Sequence, residues 1–460
     1  MNWTAEEAAT AAKGLFFSKW KGKKIVFDSR LIEKDDIFIA LPGVSSDGHQ
    51  HVLDALEKGA AAAIVSHIPN NIENKDKLLL VDNTLEALQD MARYKREHSK
   101  AKFIAVTGSV GKTSTKELLH LALSSHGKTF SSRGNYNNFL GVPINLASMP
   151  NDTEYAIFEI GMDHANEISP LSKLVQPHLA IITSVENIHR ANFDSIEDIA
   201  EAKSEIFDGL LENGTVILNS ISNCYPLLQK KAALNTNVNK VITIDKDSKI
   251  LQYLVNQNKT SAIMNILNKE VKIEFDYIIG LHQIQNILLA LTCVLALELN
   301  PEKSLNNLQL FKLPRGRGLV TTFYIEDKKI TLIDDSYNAG PVSVKAALKT
   351  MSYYDGRKIA ILGDMVDMGP ESLNLHISLK DDIISNNIDK IICFGKEMQN
   401  LYNNLPEEKK LGSYLNLKDL AKDLPNKLLH SDILLIKGSL YINNLYAFAK
   451  HLVEGTLDKI

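Results

Sequence analysis

The run Val106-Thr107-Gly108-Ser109-Val110-Gly111-Lys112-Thr113-Ser114 carries the residue types that hold phosphate. It lies between a strand-like apolar segment, Phe103 to Val106, and a helical one, Thr113 to Leu123. Glycines at a strand-to-helix turn let backbone N–H groups close around phosphate oxygens, and the helix N-terminus adds a favourable field. The amides of Gly108, Ser109, Val110 and Gly111 would form that cradle. Lys112 would bring a point charge to the β/γ-phosphates, and Thr113 or Ser114 a hydroxyl for Mg²⁺. The spacing is unusual: Gly108 and Gly111 enclose two residues, where the common nucleotide loop has four. A plain surface turn would need neither the Gly-Lys-Thr-Ser sequence nor the strand before it, so a nucleotide is expected here.

Three further residues could complete such a site. Glu159 ends the apolar run Phe158-Glu159-Ile160-Gly161, where a carboxylate is costly unless it faces a cleft or a cation. Mg²⁺ takes carboxylates, hydroxyls, waters and phosphate oxygens. His189 follows the strand-like Leu179 to Ser184, and Lys203 sits in Glu201-Ala202-Lys203-Ser204-Glu205-Ile206-Phe207. Taken singly each has a bland reading: an edge carboxylate, a surface or core histidine, a solvated helix face.

The elements that must position these groups alternate along the chain. With 460 residues and 45% apolar composition, about three domains with full cores are expected. Residues 1–98 hold short strands (Ile37 to Leu41, Ala62 to Val65, Leu78 to Val81) and helices at His51 to Lys58 and Leu85 to His98. From residue 99 to about 312, strands at Phe103–Val106, Tyr155–Ile160, Leu179–Ser184, Thr215–Leu218 and Lys240–Ile244 alternate with helices, the pattern of a mostly parallel sheet. Phosphate loop, Glu159 and the segment after Ile182 all fall at strand ends, where ligands of such sheets bind. After the Gly/Pro/Arg-rich Leu313-Pro314-Arg315-Gly316-Arg317-Gly318, a fresh α/β series runs through Thr331–Asp334, Lys358–Leu362, Lys390–Phe394 and Ile433–Ile436. The expected fold is therefore α/β in three domains. A central P-loop domain (99–312) is flanked by a small N-terminal α/β domain (1–98) and a Rossmann-like C-terminal domain (313–460).

A net charge of −4 and a pI near 6.4, with no basic block, disfavour nucleic acid as a partner. The start lacks the basic and apolar regions of a signal peptide, and Ile287 to Leu297 is too short to span a bilayer. The three cysteines, Cys224, Cys293 and Cys393, lie far apart in apolar segments and read as buried thiols. The expectation is a soluble cytoplasmic enzyme without stable membrane insertion.

Taken together, the motifs resemble those of the Mur ligases and their folylpolyglutamate synthase relatives. The short loop Thr107–Ser114 has that family's form. Gly134-Asn135-Tyr136-Asn137-Asn138 with Gly141-Val142-Pro143, and Glu159-Ile160-Gly161-Met162 with His164 and Glu167, are similar to its next two segments. The resemblance implies ATP and Mg²⁺ as cofactors. It implies Lys112, Glu159, His189 and Lys203 as the catalytic set, with Thr113, Glu159, His189 and a carbamylated Lys203 around the metal. Gly280-Leu281-His282 with Asn286 resembles the segment that meets adenine, and Arg317 and Asp335 the C-terminal groups that reach phosphates and ribose. Asp28-Ser29-Arg30 and Asp47-Gly48-His49 are similar to a uridine-nucleotide domain, so Ser29, Arg30, Asp47 and His49 are expected on the substrate, with Asn138, Tyr337 and Asn338.

Within the family, Asp334-Asp335-Ser336-Tyr337-Asn338-Ala339, Gly363-Asp364-Met365 and Glu371-Ser372 with His376 are similar to the member that joins D-alanyl-D-alanine to UDP-N-acetylmuramoyl-tripeptide. That implies amide-bond formation through an acyl phosphate, by a monomer. The Asp-Asn-Pro-Arg signature of the preceding ligase does not occur. Gln283 and Leu440 depart from the pattern, standing where an Asn and an Arg are usual. The rivals are another amide ligase of Mur or folylpolyglutamate type, and a non-ligating ATPase or UDP-precursor binding protein.

Overall fold

The computed structural model describes residues 2–43, 46–187, 192–222, 224–440 and 442–460. Each main sheet falls within one of the three expected segments. The N-terminal sheet orders its strands Leu15–Phe16, Leu78–Leu80, Ala62–Val65, Ile37–Ile39 and Ile25–Val26; the pairings are parallel except at Leu15–Phe16. Phe38, Ala63 and Leu78 on one face pack with Val52 and Ala55 of the helix Val52–Glu57.

The other face does not close on itself. Ile37, Ile39, Ile64 and Met91 share a core with Phe103, Val142, Leu146 and Phe158 of the middle segment. The bridge is the helix Thr84–His98, whose first amides are capped by the Asn83 side chain. Its Arg96 donates to Val175 O (2.7 Å) and Gln176 O (2.8 Å) and lies 4.1 Å from the Phe103 ring centroid. Lys95 donates to Asn2 O and lies 4.5 Å from the Trp3 ring. Trp3 in turn donates to Ala147 O at 2.7 Å. Burial pushes Lys95 down to about 8 and Arg96 to about 10. First and middle segments are thus joined by apolar packing with satisfied cations.

The middle sheet has nine strands. Six are parallel, in the order Thr129–Ser131, Tyr155–Glu159, Lys102–Thr107, Leu179–Ile182, Gly214–Asn219 and Val238–Ile244. An antiparallel meander, Ser248–Asn256, Lys259–Ile266 and Lys269–Phe275, extends it beyond the parallel part. Its buried residues alternate (Thr260, Ala262, Met264, Ile266), as expected of strands with one face on a core. That face and the helix Lys112–Ser124 both pack on the helix Leu281–Ala296, whose Ile284, Ile287, Leu288 and Leu291 are buried. No described helix is long and apolar enough to cross a membrane.

The third sheet runs Leu319–Ile325, Lys328–Asp335, Ile433–Lys437, Lys358–Gly363, Lys390–Phe394 and Lys410–Tyr414. It is parallel except for its first pairing. Separate apolar clusters cover its two faces. Cys224, Cys293 and Cys393 are free and buried.

Candidate active site

The phosphate loop is shaped before any ligand arrives. Gly108 (φ +147°) and Gly111 (φ +88°) hold backbone conformations that side chains rarely adopt. The neighbouring parallel strand, Leu179–Ile182, supplies the braces from its carboxyl end. Ser109 N donates to Ser184 O (2.9 Å), Val110 N to Ser184 Oγ (3.0 Å), and Thr183 Oγ1 to Val110 O (2.6 Å). Glu186 N donates to Ser109 Oγ at 2.9 Å. Ser114 is buried in the first helical turn and Thr113 is half-buried at the helix start. Lys112 folds back over the loop, its Nζ donating to Gly108 O (2.6 Å) and more weakly to Ser109 O (3.4 Å). Protein enclosure lowers the Lys112 pKa; nearby Glu159 and Asp163 oppose that shift and Arg317 adds to it.

Glu159 is 2% exposed, at the end of the strand next to the loop strand. Its Oε1 accepts from Asn137 Nδ2 at 2.9 Å, its backbone N–H donates to Ser132 Oγ at 3.1 Å, and its buried Oε2 has no hydrogen-bond partner. A carboxylate oxygen buried without a donor is costly unless a cation serves it. The buried Nζ of Lys116 stands 3.9 Å away, and itself donates to Ser132 O (2.7 Å) and Gly134 O (2.9 Å).

Lys203, on the helix Ile196–Ser204, is not on a solvated face: it is 2% exposed. Burial first, and the charge of Lys112 second, hold its amine well below the usual lysine range. Among the described residues no carboxylate pairs with it. A buried amine pushed toward its neutral form beside another cation has the chemistry of a site for carbamylation, which would turn it into an anionic ligand. His189 lies outside the described residues. The orphaned Glu159 oxygen and the Thr113 hydroxyl are donors of the kind an oxygen-seeking divalent cation takes, and Lys203 would become one once carbamylated.

The third segment reaches the same cleft. Arg317 is near enough to Lys112 to bear on its charge, and its guanidinium carbon lies 4.4 Å from the Tyr337 ring centroid. Asp335 pairs with Lys437 Nζ at 2.9 Å; the same Nζ donates to Asn338 O at 2.6 Å. Burial raises the Asp335 pKa, with Lys437 opposing. His282 lies within reach of the Lys437 charge, and burial pushes its imidazole down to about 4, so it is neutral near pH 7.

Other expected residues make contacts within the protein. Asn286 is buried: its Oδ1 accepts from Thr115 Oγ1 (3.4 Å) and lies where a Gly111 β-carbon would meet it, and its amide donates to Gln283 Oε1 (3.1 Å). Asn138 accepts from Gly141 N at the start of the helix Gly141–Ser148, while its neighbour Asn137 touches Glu159. Ser29 is buried and Arg30 forks onto Asp28 (2.7 and 2.9 Å). His49 uses both ring nitrogens, Nδ1 with Asp47 Oδ1 (2.7 Å) and Nε2 accepting from Ser66 N (2.9 Å), and stacks on His67 at 4.0 Å. It braces a loop, and it has no free nitrogen for a metal. Sequence reasoning passed over Ser132, Asn137, Thr183 and Lys116. The Lys116 position, one turn after Lys112, was the available signal.

Family models cover most of this framework. The Mur ligase middle domain matches residues 106–294, the Mur ligase glutamate ligase domain 322–440, and the Mur ligase family catalytic domain 23–96. A Rickettsia prowazekii protein named UDP-N-acetylmuramoyl-tripeptide–D-alanyl-D-alanine ligase is 39% identical over 421 residues, covering 90% of this chain and 92% of its own. The chain belongs to the Mur ligase family. The Bacillus subtilis protein of the same name is 32% identical, with 94% of each chain covered. The crystal structure of MurF from Acinetobacter baumannii superimposes with a TM-score of 0.83 at 28% identity, covering 100% of this chain and 99% of that one. In this Mur ligase the middle-domain match contains the phosphate loop, Glu159 and Lys203; the glutamate-ligase match contains Asp335 and Lys437. Arg317 lies in the short stretch between the two.

Proposed function

We propose that this Mur ligase joins D-alanyl-D-alanine to UDP-N-acetylmuramoyl-tripeptide with hydrolysis of ATP, in the cytoplasm and as a monomer. The observation that carries the reading is the convergence on one cleft of a braced phosphate loop, a buried carboxylate with an unpartnered oxygen, and Arg317 from the third domain. The names of its relatives support the choice of substrates.

A carboxylate is a poor electrophile because an amine would have to expel oxide. Transfer of the ATP γ-phosphoryl group to the tripeptide carboxylate gives an acyl phosphate with a good leaving group. The dipeptide amine, once its ammonium proton is lost, then attacks the acyl carbon, and the tetrahedral intermediate releases phosphate and an N–H proton to leave the amide. Charge neutralisation and alignment are what the protein must provide. The loop amides and Lys112, whose Nζ donates to Gly108 O in this structure, would hold the phosphates. Thr113 and Glu159, with Lys203 once carbamylated, would hold Mg²⁺, which neutralises phosphate charge when bound. His189 is proposed as a further ligand by family resemblance.

Arg317 adds positive charge from the opposite wall. Asp335, fixed by Lys437, is assigned to the nucleotide, and Tyr337 and Asn338 to the peptide substrate, by family resemblance. The N-terminal domain, with Ser29 and Arg30, would anchor the uridine end far from the reacting carboxyl. Phosphate release from ATP should require both substrates together. Release with ATP alone would favour a non-ligating ATPase, and turnover with a single amino acid in place of the dipeptide another ligase of the family.

A further inference from the structure

The mechanism leaves unused a buried cation beside Glu159. Lys116 is completely buried on the phosphate-loop helix, one turn after Lys112. Its Nζ donates to the carbonyls of Ser132 (2.7 Å) and Gly134 (2.9 Å), lies 3.2 Å from Glu117 Oε1, and reaches 3.9 Å from Glu159 Oε2. Burying an ammonium is expensive, so the two short carbonyl contacts define what it fastens. They tie the segment 132–137 to the phosphate-loop helix. That segment is what aims Glu159: Ser132 Oγ accepts its backbone N–H, and Asn137 donates to its Oε1. Asn145 secures the same segment from below, accepting from Arg133 N (2.9 Å) and donating to Tyr136 O (3.1 Å). At 3.9 Å the ammonium is too far to hydrogen-bond Oε2 and leaves that buried oxygen without a donor.

We propose that Lys116 is a positioning residue: it locks the 132–137 segment to the phosphate-loop helix, so that Glu159 presents Oε2 to a divalent cation. The proposal rests on the reading of Glu159 as a metal ligand. Partners that orient a ligating carboxylate change metal affinity when removed, whereas a residue that only supports the fold changes stability.

The test measures Mn²⁺ binding to the intact protein in complex with ADP, by the loss of the free-ion EPR signal, alongside ADP affinity without metal. Lys116→Met should weaken Mn²⁺ binding roughly 10- to 100-fold. Metal-free ADP affinity should stay at the wild-type value. In a Glu159→Gln background the Lys116 substitution should add almost nothing, because the two act through one oxygen. Lys116→Gln serves as the second variant, with the same shift expected. Unchanged or tighter Mn²⁺ binding in a folded Lys116 variant overturns the proposal, as does failure of both variants to fold, which would give Lys116 a role in the fold alone. If Glu159→Gln itself leaves Mn²⁺ binding unchanged, the metal reading of Glu159 has failed, and the proposal falls with it for that separate reason.

Discussion

Gly108 lies so close to Thr183 that a β-carbon on it would stand 2.0 Å from the threonine Oγ1. The contact locks the phosphate loop to the neighbouring parallel strand, and it makes glycine obligatory on two counts: space, and a φ of +147°.

Gly108→Ala should therefore displace the loop and lower kcat/KM by at least about 10²-fold, since misplacement by an ångström near reacting groups costs that much. Adding Thr183→Ala removes the 2.0 Å contact but leaves those of 3.1 Å to Ser184 N and the residue-183 β-carbon, together with the backbone strain, so the double variant should recover only part of the loss. Steady-state phosphate release checks both; full recovery would show that space alone matters.

Glu159→Ala should lose roughly 10²–10³-fold in kcat or more, as for removal of one preorganised charge-stabilising group. A near-normal rate would take Glu159 out of the site.

The Asp335–Lys437 pair can be tested by a double-mutant cycle. Lys437→Met leaves Asp335 buried without its cation and should cost about 2 kcal/mol in urea unfolding, below the value for a fully buried pair because Asp335 keeps some solvent. Lys437→Met with Asp335→Asn should cost less than the sum of the single changes.

Stability should depend on pH through His178. Its Nδ1 accepts the Phe103 N–H at 3.0 Å, and burial, helped by Lys102 and Arg96, lowers its pKa to about 4 from the ordinary 6.5. Between those values the unfolded chain binds more protons than the native one. Stability is complete above pH 6.5 and falls toward pH 4, with a slope of at most about 1.4 kcal/mol per pH unit from this residue. His178→Asn should flatten that part of the profile in urea titrations at successive pH values.

The parallel strands were readable because each is a short apolar run bounded by turn residues. Leu179–Ile182 and Ile433–Lys437 are buried along their length, as runs of that kind predict. The meander from Ser248 to Phe275 was not, since alternation with exposed polar residues such as Lys259, Lys272 and Glu274 leaves only half of each strand apolar.

The site was legible where chemistry leaves a local spacing, as in the phosphate loop. It was less so where a residue's surroundings come from elsewhere in the chain. Lys203 sits in a polar-looking stretch, and only the fold shows that its face of the helix is buried. Asn137 and Asn138 are neighbours of one type; backbone direction decides that the first touches Glu159 and the second caps a helix. For His49 the sequence did not show its partners: Asp47 and Ser66 meet its two ring nitrogens only in the fold.

The central claim is carboxylate activation followed by capture with a dipeptide. Its most direct test is phosphate release by the purified protein with ATP and Mg²⁺, assayed with each substrate alone and with both. The account predicts release only when UDP-N-acetylmuramoyl-tripeptide and D-alanyl-D-alanine are present together, with one amide product formed per phosphate. Equal release without the dipeptide, or with a single amino acid in its place, would contradict it.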